Sequence, residues 1–184
     1  MHIENLKNKR YEVSERTFSL KKANIVGAAI VLPVAAVLFI IYNTVMTEAS
    51  KNNVILVIAI FFAGLAVHEL IHGFVWHFSC EDKWNSIKFG IDKKTLSPYT
   101  VCGEIIPIRT YKLGVILPGI ITGVVPYIAG LMINNSVIAY SGILLICAAV
   151  GDMMILCTIF NVDKDSLVKD HPTMCGCIVY KHIK

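Results

Sequence analysis

Three long stretches of the chain contain almost no Asp, Glu, Lys or Arg, and this distribution constrains the fold more than any other feature. Residues 23–47 contain none, residues 52–80 contain only Glu69, and residues 113–162 contain only Asp152. A helix needs about 20 apolar residues to cross the hydrocarbon core of a bilayer. A helix also satisfies its own backbone hydrogen bonds, which lipid cannot do. The first two stretches therefore each predict one membrane-spanning helix.

The third stretch is long enough for two spans, and Asn134-Asn135-Ser136 marks the turn between them. Only 16% of the residues are charged and 55% are hydrophobic, whereas a soluble domain has about 25% charged residues. The fold class predicted is an all-α membrane protein with four transmembrane helices. Their predicted bounds are 24–46, 54–78, 113–133 and 137–160.

The basic residues indicate the orientation of these spans. All Lys and Arg residues except Lys51 lie before residue 23, between residues 80 and 113, or after residue 160. By the positive-inside rule, both termini and the 81–112 loop are cytoplasmic, which predicts a multi-pass protein of the cell membrane. The basic pI near 8.7 therefore reflects segments that flank the bilayer, and no nucleic-acid partner is predicted.

The chain divides into a polar N-terminal arm (1–22) with no structure assigned, a transmembrane domain (23–160) and a C-terminal tail (161–184). Within the 81–112 loop, Ile87–Ile91 alternates apolar residues with polar or small ones. Asp92-Lys93-Lys94 supplies a turn, and Tyr99–Ile108 is a second run that favours strand. This loop between spans two and three is predicted to be a short cytoplasmic β-hairpin.

Near its end, span two carries a motif of two histidines and a glutamate: His68 and Glu69, then His72. Positions i and i+4 share one face of a helix, so both imidazoles can reach one Zn²⁺. In metalloproteases with this H-E-x-x-H motif, the glutamate is the general base and not a ligand. The alternative is a helix end whose polar groups are solvated at the interface. Ionisable residues within a span are costly, which favours the functional interpretation.

A catalytic zinc commonly has three protein ligands, and Asp152 and His77 are the remaining candidates within the spans. At 1.5 Å rise per residue, the two motif histidines lie about 9–15 Å inside the cytoplasmic end of span two. Asp152 lies about 12 Å inside the corresponding end of span four. His77 is turned away from the ligand face of its helix. No Lys or Arg lies in any predicted span, so a metal is the best partner for Asp152.

Several segments together resemble one family. They are His68–Gly73, the Lys88–Gly90 strand, Gly151–Asp152 and the Asp170–Pro172 tail, and the likeness begins near Tyr11. These segments are similar to the putative zincin peptidase family of small bacterial and archaeal membrane proteins. More distantly they resemble the site-2 protease group of intramembrane zinc proteases. The resemblance implies that His68, His72 and Asp152 are zinc ligands and Glu69 the catalytic base. The Gly-Asp segment departs from the Asn-Pro-Asp-Gly-like context of typical site-2 proteases.

The function predicted is that of an intramembrane zinc metalloprotease that cleaves membrane-protein or peptide substrates. Two other classes stay open, a non-catalytic metal-binding adaptor and a divalent-metal permease. A permease needs ligands along a path across the bilayer, whereas these residues share one depth. An adaptor does not need Glu69.

Two further groups of residues are given structural interpretations. The six cysteines are interpreted as reduced thiols, with a second metal site formed by Cys80, Cys102, Cys175 and Cys177 as the alternative. Asp170 and His171 are interpreted as a turn that docks the tail, with a role in the transition state as the alternative.

Overall fold

Long apolar helices make up most of the protein. The structure, a computed structural model, describes residues 11–46, 53–93 and 97–183. Its helices are α1 (Leu20–Val45), α2 (Val54–His77), α3 (Ile108–Pro118), α4 (Val125–Met132), α5 (Ser136–Ala148) and α6 (Val150–Ile159). Its strands are β1 (Tyr11–Phe18), β2 (Ile87–Ile91), β3 (Pro98–Cys102), β4 (Ile106–Pro107), β5 (Leu167–Asp170) and β6 (Cys175–His182).

Three helical segments are long and apolar enough to cross a membrane: Lys21–Val45, Val54–His77 and Ile108–Met132. The pair α5 and α6 adds a fourth if it is counted as one span bent by 42°. Large apolar side chains on the first two segments face outward; Leu32 is 71% exposed and Ile55 is 81% exposed. These are the features of a multi-pass membrane protein, as the sequence predicted.

The third segment begins earlier than its charge pattern predicted. The prediction placed its start near residue 113, but α3 begins at Ile108 and includes Arg109 and Lys112. The ammonium of Lys112 donates hydrogen bonds to the carbonyl oxygens of Phe160 at 3.0 Å and Val162 at 3.4 Å. A long basic side chain can thus extend from a helix end to polar backbone groups. The prediction started the span after the last charged residue, and it therefore placed the start of this helix too late.

A wider π-helical turn, Gly119–Val124, joins α3 to α4. Pro126 follows it and cannot donate a hydrogen bond to the carbonyl of Thr122, four residues earlier. Such π-helical turns are frequent at functional sites. The turn packs closely on α5, since a Cβ added to Gly123 would lie 2.8 Å from the side chain of Ile146.

Residues 11–18 of the N-terminal arm form one sheet with two strands of the C-terminal tail and with β4 from the 81–112 loop, a sheet that the sequence did not predict. Its four strands have the order β1-β6-β5-β4. The pair β1 and β6 is antiparallel, with Tyr11 opposite His182 and Phe18 opposite Cys175. The prediction of an all-α fold with one β-hairpin was therefore incomplete. The pairing joins opposite ends of the sequence, and neither segment reveals its partner through its own pattern.

A second, two-stranded sheet consists of β2 and β3. The strands are antiparallel, with Ile87 opposite Cys102 and Ile91 opposite Pro98. The strand β3 also packs against α2, so this sheet lies beside the helix that carries the H-E-x-x-H motif.

The helices pack closely around the end of α2. Trp76 stacks on Tyr111 of α3, with ring centroids 5.3 Å apart and planes 4° apart. A Cβ on Gly114 would lie 2.0 Å from Nε1 of Trp76, so this approach of α3 to α2 requires glycine. Farther along the bundle, the Tyr42 hydroxyl donates to Ser136 Oγ at 2.8 Å and ties α1 to α5.

Candidate metal centre

The two motif histidines lie on the buried face of α2. His68 and His72 are each 5% exposed, and their ring centroids are 4.9 Å apart. The helix is continuous through the motif, and its 3.6-residue repeat brings side chains four positions apart to the same face. Polar rings buried in an apolar helix are costly without partners, so the groups that face them are expected to be polar.

Asp152, near the start of α6, faces both histidines. Its Oδ2 lies 2.8 Å from Nε2 of His68, and its Oδ1 lies 3.5 Å from Nε2 of His72. Its side chain is 20% exposed. The structure thus brings together three side chains from two helices that are far apart in the sequence.

The chemistry and spacing of these donors fit Zn²⁺. Two imidazole nitrogens and a carboxylate are a ligand set that catalytic zinc sites use. Two ligand atoms on a tetrahedral zinc, each bound at about 2.0–2.1 Å, lie about 3.3–3.4 Å apart. The separations between Asp152 and the histidine nitrogens, 2.8 and 3.5 Å, lie on either side of that value. Small side-chain movements would therefore suffice to hold the ion.

Glu69 lies beside this group. One carboxylate oxygen of Glu69, one ring nitrogen of His68 and one ring nitrogen of His72 all lie within 4.8 Å of one another. The Thr100 hydroxyl on β3 lies 2.7 Å from Oε2 of Glu69 and 3.0 Å from its backbone carbonyl oxygen. Thr100 thereby connects the two-stranded sheet to the glutamate. No local sequence pattern links Thr100 to α2, so this residue was not among those predicted for the site.

The outer nitrogens of the two histidines have different surroundings. Nδ1 of His68 lies 3.3 Å from the hydroxyl oxygen of Thr122, in the π-helical turn. Nδ1 of His72 is buried and makes no hydrogen bond of ordinary geometry, although the ring has a weak contact with the backbone of Gly114. The His72 ring also packs on Trp76, with centroids 5.1 Å apart. Neither Thr122 nor Trp76 was predicted from the sequence to lie at the site.

His77 contacts other groups. Its Nδ1 lies 2.6 Å from the carbonyl oxygen of Phe74, and its ring stacks on Trp84 at a centroid distance of 4.4 Å. This side chain is therefore occupied at the end of α2, away from Asp152.

Asp170 holds the tail against α3 and β3. Its Oδ1 accepts a hydrogen bond from the Tyr111 hydroxyl at 2.6 Å, and its Oδ2 accepts one from the Cys102 backbone at 2.7 Å. Burial raises the pKa of the Asp170 carboxyl to about 6, although both hydrogen bonds oppose that shift. Nδ1 of the neighbouring His171 accepts from the backbone N–H groups of Thr173 and Met174, which form a turn. These contacts agree with the docking interpretation.

Within the described ranges, none of the cysteines belongs to a group of three or more candidate metal ligands. Sγ of Cys80 and Sγ of Cys102 are 3.3 Å apart. Burial raises the pKa of both thiols, and it raises the pKa of Cys177 to about 12. Protonated, buried thiols are poor nucleophiles and poor metal ligands.

The fold and the site together define a helical membrane protein with a candidate zinc centre of the H-E-x-x-H type. The chain belongs to the family described as "Putative zincin peptidase", whose sequence profile matches residues 61–167. The match includes both motif histidines, Glu69 and Asp152. Neither the curated proteins nor the solved structures include a match to this chain.

Proposed function

We propose that this protein is an intramembrane zinc metalloprotease that hydrolyses peptide bonds of membrane-associated substrates. The observation that carries the proposal is the convergence of His68, His72 and Asp152 on one point of a membrane helix bundle, with the Glu69 carboxylate beside them. Membership of a family described as zincin peptidases supports the same reaction class.

His68, His72 and Asp152 would hold the zinc ion. When bound, Zn²⁺ supplies Lewis acidity, which polarises a scissile carbonyl and lowers the pKa of water. Glu69 then acts as the general base: its carboxylate takes a proton from the attacking water and returns it to the leaving amine nitrogen. The Thr100 hydroxyl, 2.7 Å from Oε2, orients the carboxylate. Burial of both histidines limits solvent near the reacting groups.

The two-stranded sheet is the proposed receptor for the substrate. A peptide in a helix cannot present its carbonyl to attack, so the cleaved segment must be extended. An extended segment can add to the edge of a sheet by backbone hydrogen bonds. Thr100 joins β3 directly to Glu69, so a segment aligned on that sheet would lie near the catalytic base. The proposed substrate is therefore a membrane protein or peptide that unwinds near the cytoplasmic end of α2.

The alternatives fit these observations less well. A permease requires ligands at several depths, but the candidate ligands His68, His72 and Asp152 lie together at one place in the helix bundle. An adaptor could use the two histidines and Asp152, but it gives no role to a carboxylate held beside them.

Metal content tests the site. We expect purified protein to contain about one Zn²⁺ per chain, since a mononuclear site has one ion, and the double variant His68→Ala/His72→Ala to lose it. His77→Ala is the matched control because His77 is also buried on α2 but contacts Phe74 and Trp84. Elemental analysis measures all three proteins. Zinc-free wild type, or equal zinc in the double variant, would reject the site.

Orientation has a separate test. We propose four spans in the cell membrane with both termini and the 81–112 loop in the cytoplasm. With four spans, all Lys and Arg residues except Lys51 lie in segments on the same side of the membrane, which the positive-inside rule assigns to the cytoplasm. In intact cells, an impermeant thiol reagent is expected to label Lys51→Cys and not Lys93→Cys, each compared with the unchanged chain. Labelling of Lys93→Cys before the cells are opened would show that the orientation is inverted.

A further inference from the structure

We infer that Thr122 is a positioning residue that fixes the tautomer and ring orientation of His68 for metal binding. The inference rests on the metal site of the proposed function and adds a residue to it. Thr122 Oγ1 lies 3.3 Å from Nδ1 of His68. Both residues are buried, with 6% exposure for Thr122 and 5% for His68.

The direction of this contact follows from counting hydrogens. A threonine hydroxyl has one hydrogen to donate and two lone pairs. Thr122 donates that hydrogen to the carbonyl oxygen of Pro118 at 2.8 Å. Its oxygen therefore offers only lone pairs to His68, and Nδ1 must carry the hydrogen. In the neutral ring, Nε2 is then left with its lone pair, and Nε2 is the nitrogen that faces Asp152.

The backbone around Thr122 makes the contact rigid. The residue lies in the π-helical turn Gly119–Val124, which places its side chain toward α2. The neighbouring Gly123 packs against Ile146 of α5 so closely that a Cβ there would be 2.8 Å from that side chain. A hydroxyl that already donates to the carbonyl oxygen of Pro118 loses little freedom when it also accepts from the imidazole.

His72 provides an internal comparison. Its Nδ1 makes no hydrogen bond of ordinary geometry. Its ring is positioned by packing on Trp76, by its contact with Asp152 and by the weak contact with the backbone of Gly114. Thr122 therefore acts on one of the two imidazole ligands. Partners of this kind, which hold the second nitrogen of a ligand histidine, typically change metal affinity about 10–100-fold when removed.

The test is a zinc titration of apo protein against a competing chelator. Thr122→Val keeps the shape and removes the acceptor, so we expect zinc affinity to fall about 10–100-fold. Thr122→Ser restores the hydroxyl and is expected to bind zinc about as tightly as wild type. Thr158→Val is the matched control because the Thr158 hydroxyl also donates to a carbonyl of its own helix, that of Ile155 at 2.7 Å.

A spectroscopic measurement separates positioning from a general loss of structure. In ¹⁵N spectra of zinc-loaded protein, we expect His68 to carry its hydrogen on Nδ1, and this signal to shift in Thr122→Val but not in Thr158→Val. Thr122→Val with wild-type zinc affinity, or Thr122→Ser as weak as Thr122→Val, would overturn the inference. A wild-type protein that binds no zinc would reject the proposed function together with this inference. A wild-type protein that binds zinc, with no effect of Thr122→Val, would reject only the inference.

Discussion

Replacing Glu69 with Gln is expected to abolish peptide-bond cleavage while leaving the zinc content unchanged. The amide has nearly the size and helix propensity of the carboxylate but cannot take a proton from water. General-base catalysis contributes about 10²–10⁴-fold to a rate, so the loss should be at least of that order. The Thr100 hydroxyl can still donate to the amide oxygen, so the local packing around α2 should be retained.

The measurement is cleavage of co-expressed membrane substrates, with zinc analysis of the same preparations. Glu12→Gln is a suitable control because Glu12 is an exposed carboxylate on β1. A Glu69→Gln variant that processes substrate at the wild-type rate would rule out the hydrolytic mechanism. Intact zinc with no cleavage by wild type for any substrate would favour the adaptor.

Asp152→Asn is expected to weaken zinc binding and to reduce activity with it. Removal of a residue that only hydrogen-bonds to a metal ligand typically lowers metal affinity about 10–100-fold, and the loss of a ligand should exceed that. The change keeps the shape of the side chain but replaces an anionic oxygen ligand with a neutral amide, which leaves two histidines. Insertion into the membrane should be unaffected because an amide is cheaper to bury than a carboxylate. Zinc titration of apo wild type and apo Asp152→Asn provides the measurement.

Asp165→Asn serves as the control, since the Asp165 side chain is 78% exposed. Equal zinc affinities for wild type and Asp152→Asn would remove Asp152 from the site. The search for a third ligand would then turn to His77, Glu104 and His171. Of these, Glu104 already accepts hydrogen bonds from the backbone N–H groups of Glu81 and Asp82.

Two parts of the candidate site follow from local features of the sequence: residue spacing along one helix, and the positions of ionisable residues within the apolar stretches. The spacing of His68 and His72 needs only the helical repeat, and the structure holds both on one buried face. Asp152 could be selected by elimination, because few ionisable residues lie within the apolar stretches. The structure then places its carboxylate 2.8 and 3.5 Å from the histidine nitrogens.

The residues around the site could not be predicted in this way. Thr100 is an ordinary polar residue in a strand, and the sequence around it does not indicate that it faces Glu69. Thr122 lies in an apolar helical segment that does not indicate its contact with His68. The bend between α5 and α6, at Ala149, also has no proline to mark it. Each of these features depends on contacts between elements that are distant in the chain.

The sequence by itself determined the apolar spans, the H-E-x-x-H motif and the short inventory of possible ligands, because hydropathy and helical spacing are local properties. Only the tertiary structure decided that β1 pairs with β6, that β3 reaches Glu69 through Thr100 and that the π-helical turn brings Thr122 to His68. Strand pairing and hydrogen bonds between helices depend on register and close packing. These are set when all elements come together, so no single segment of the sequence encodes them.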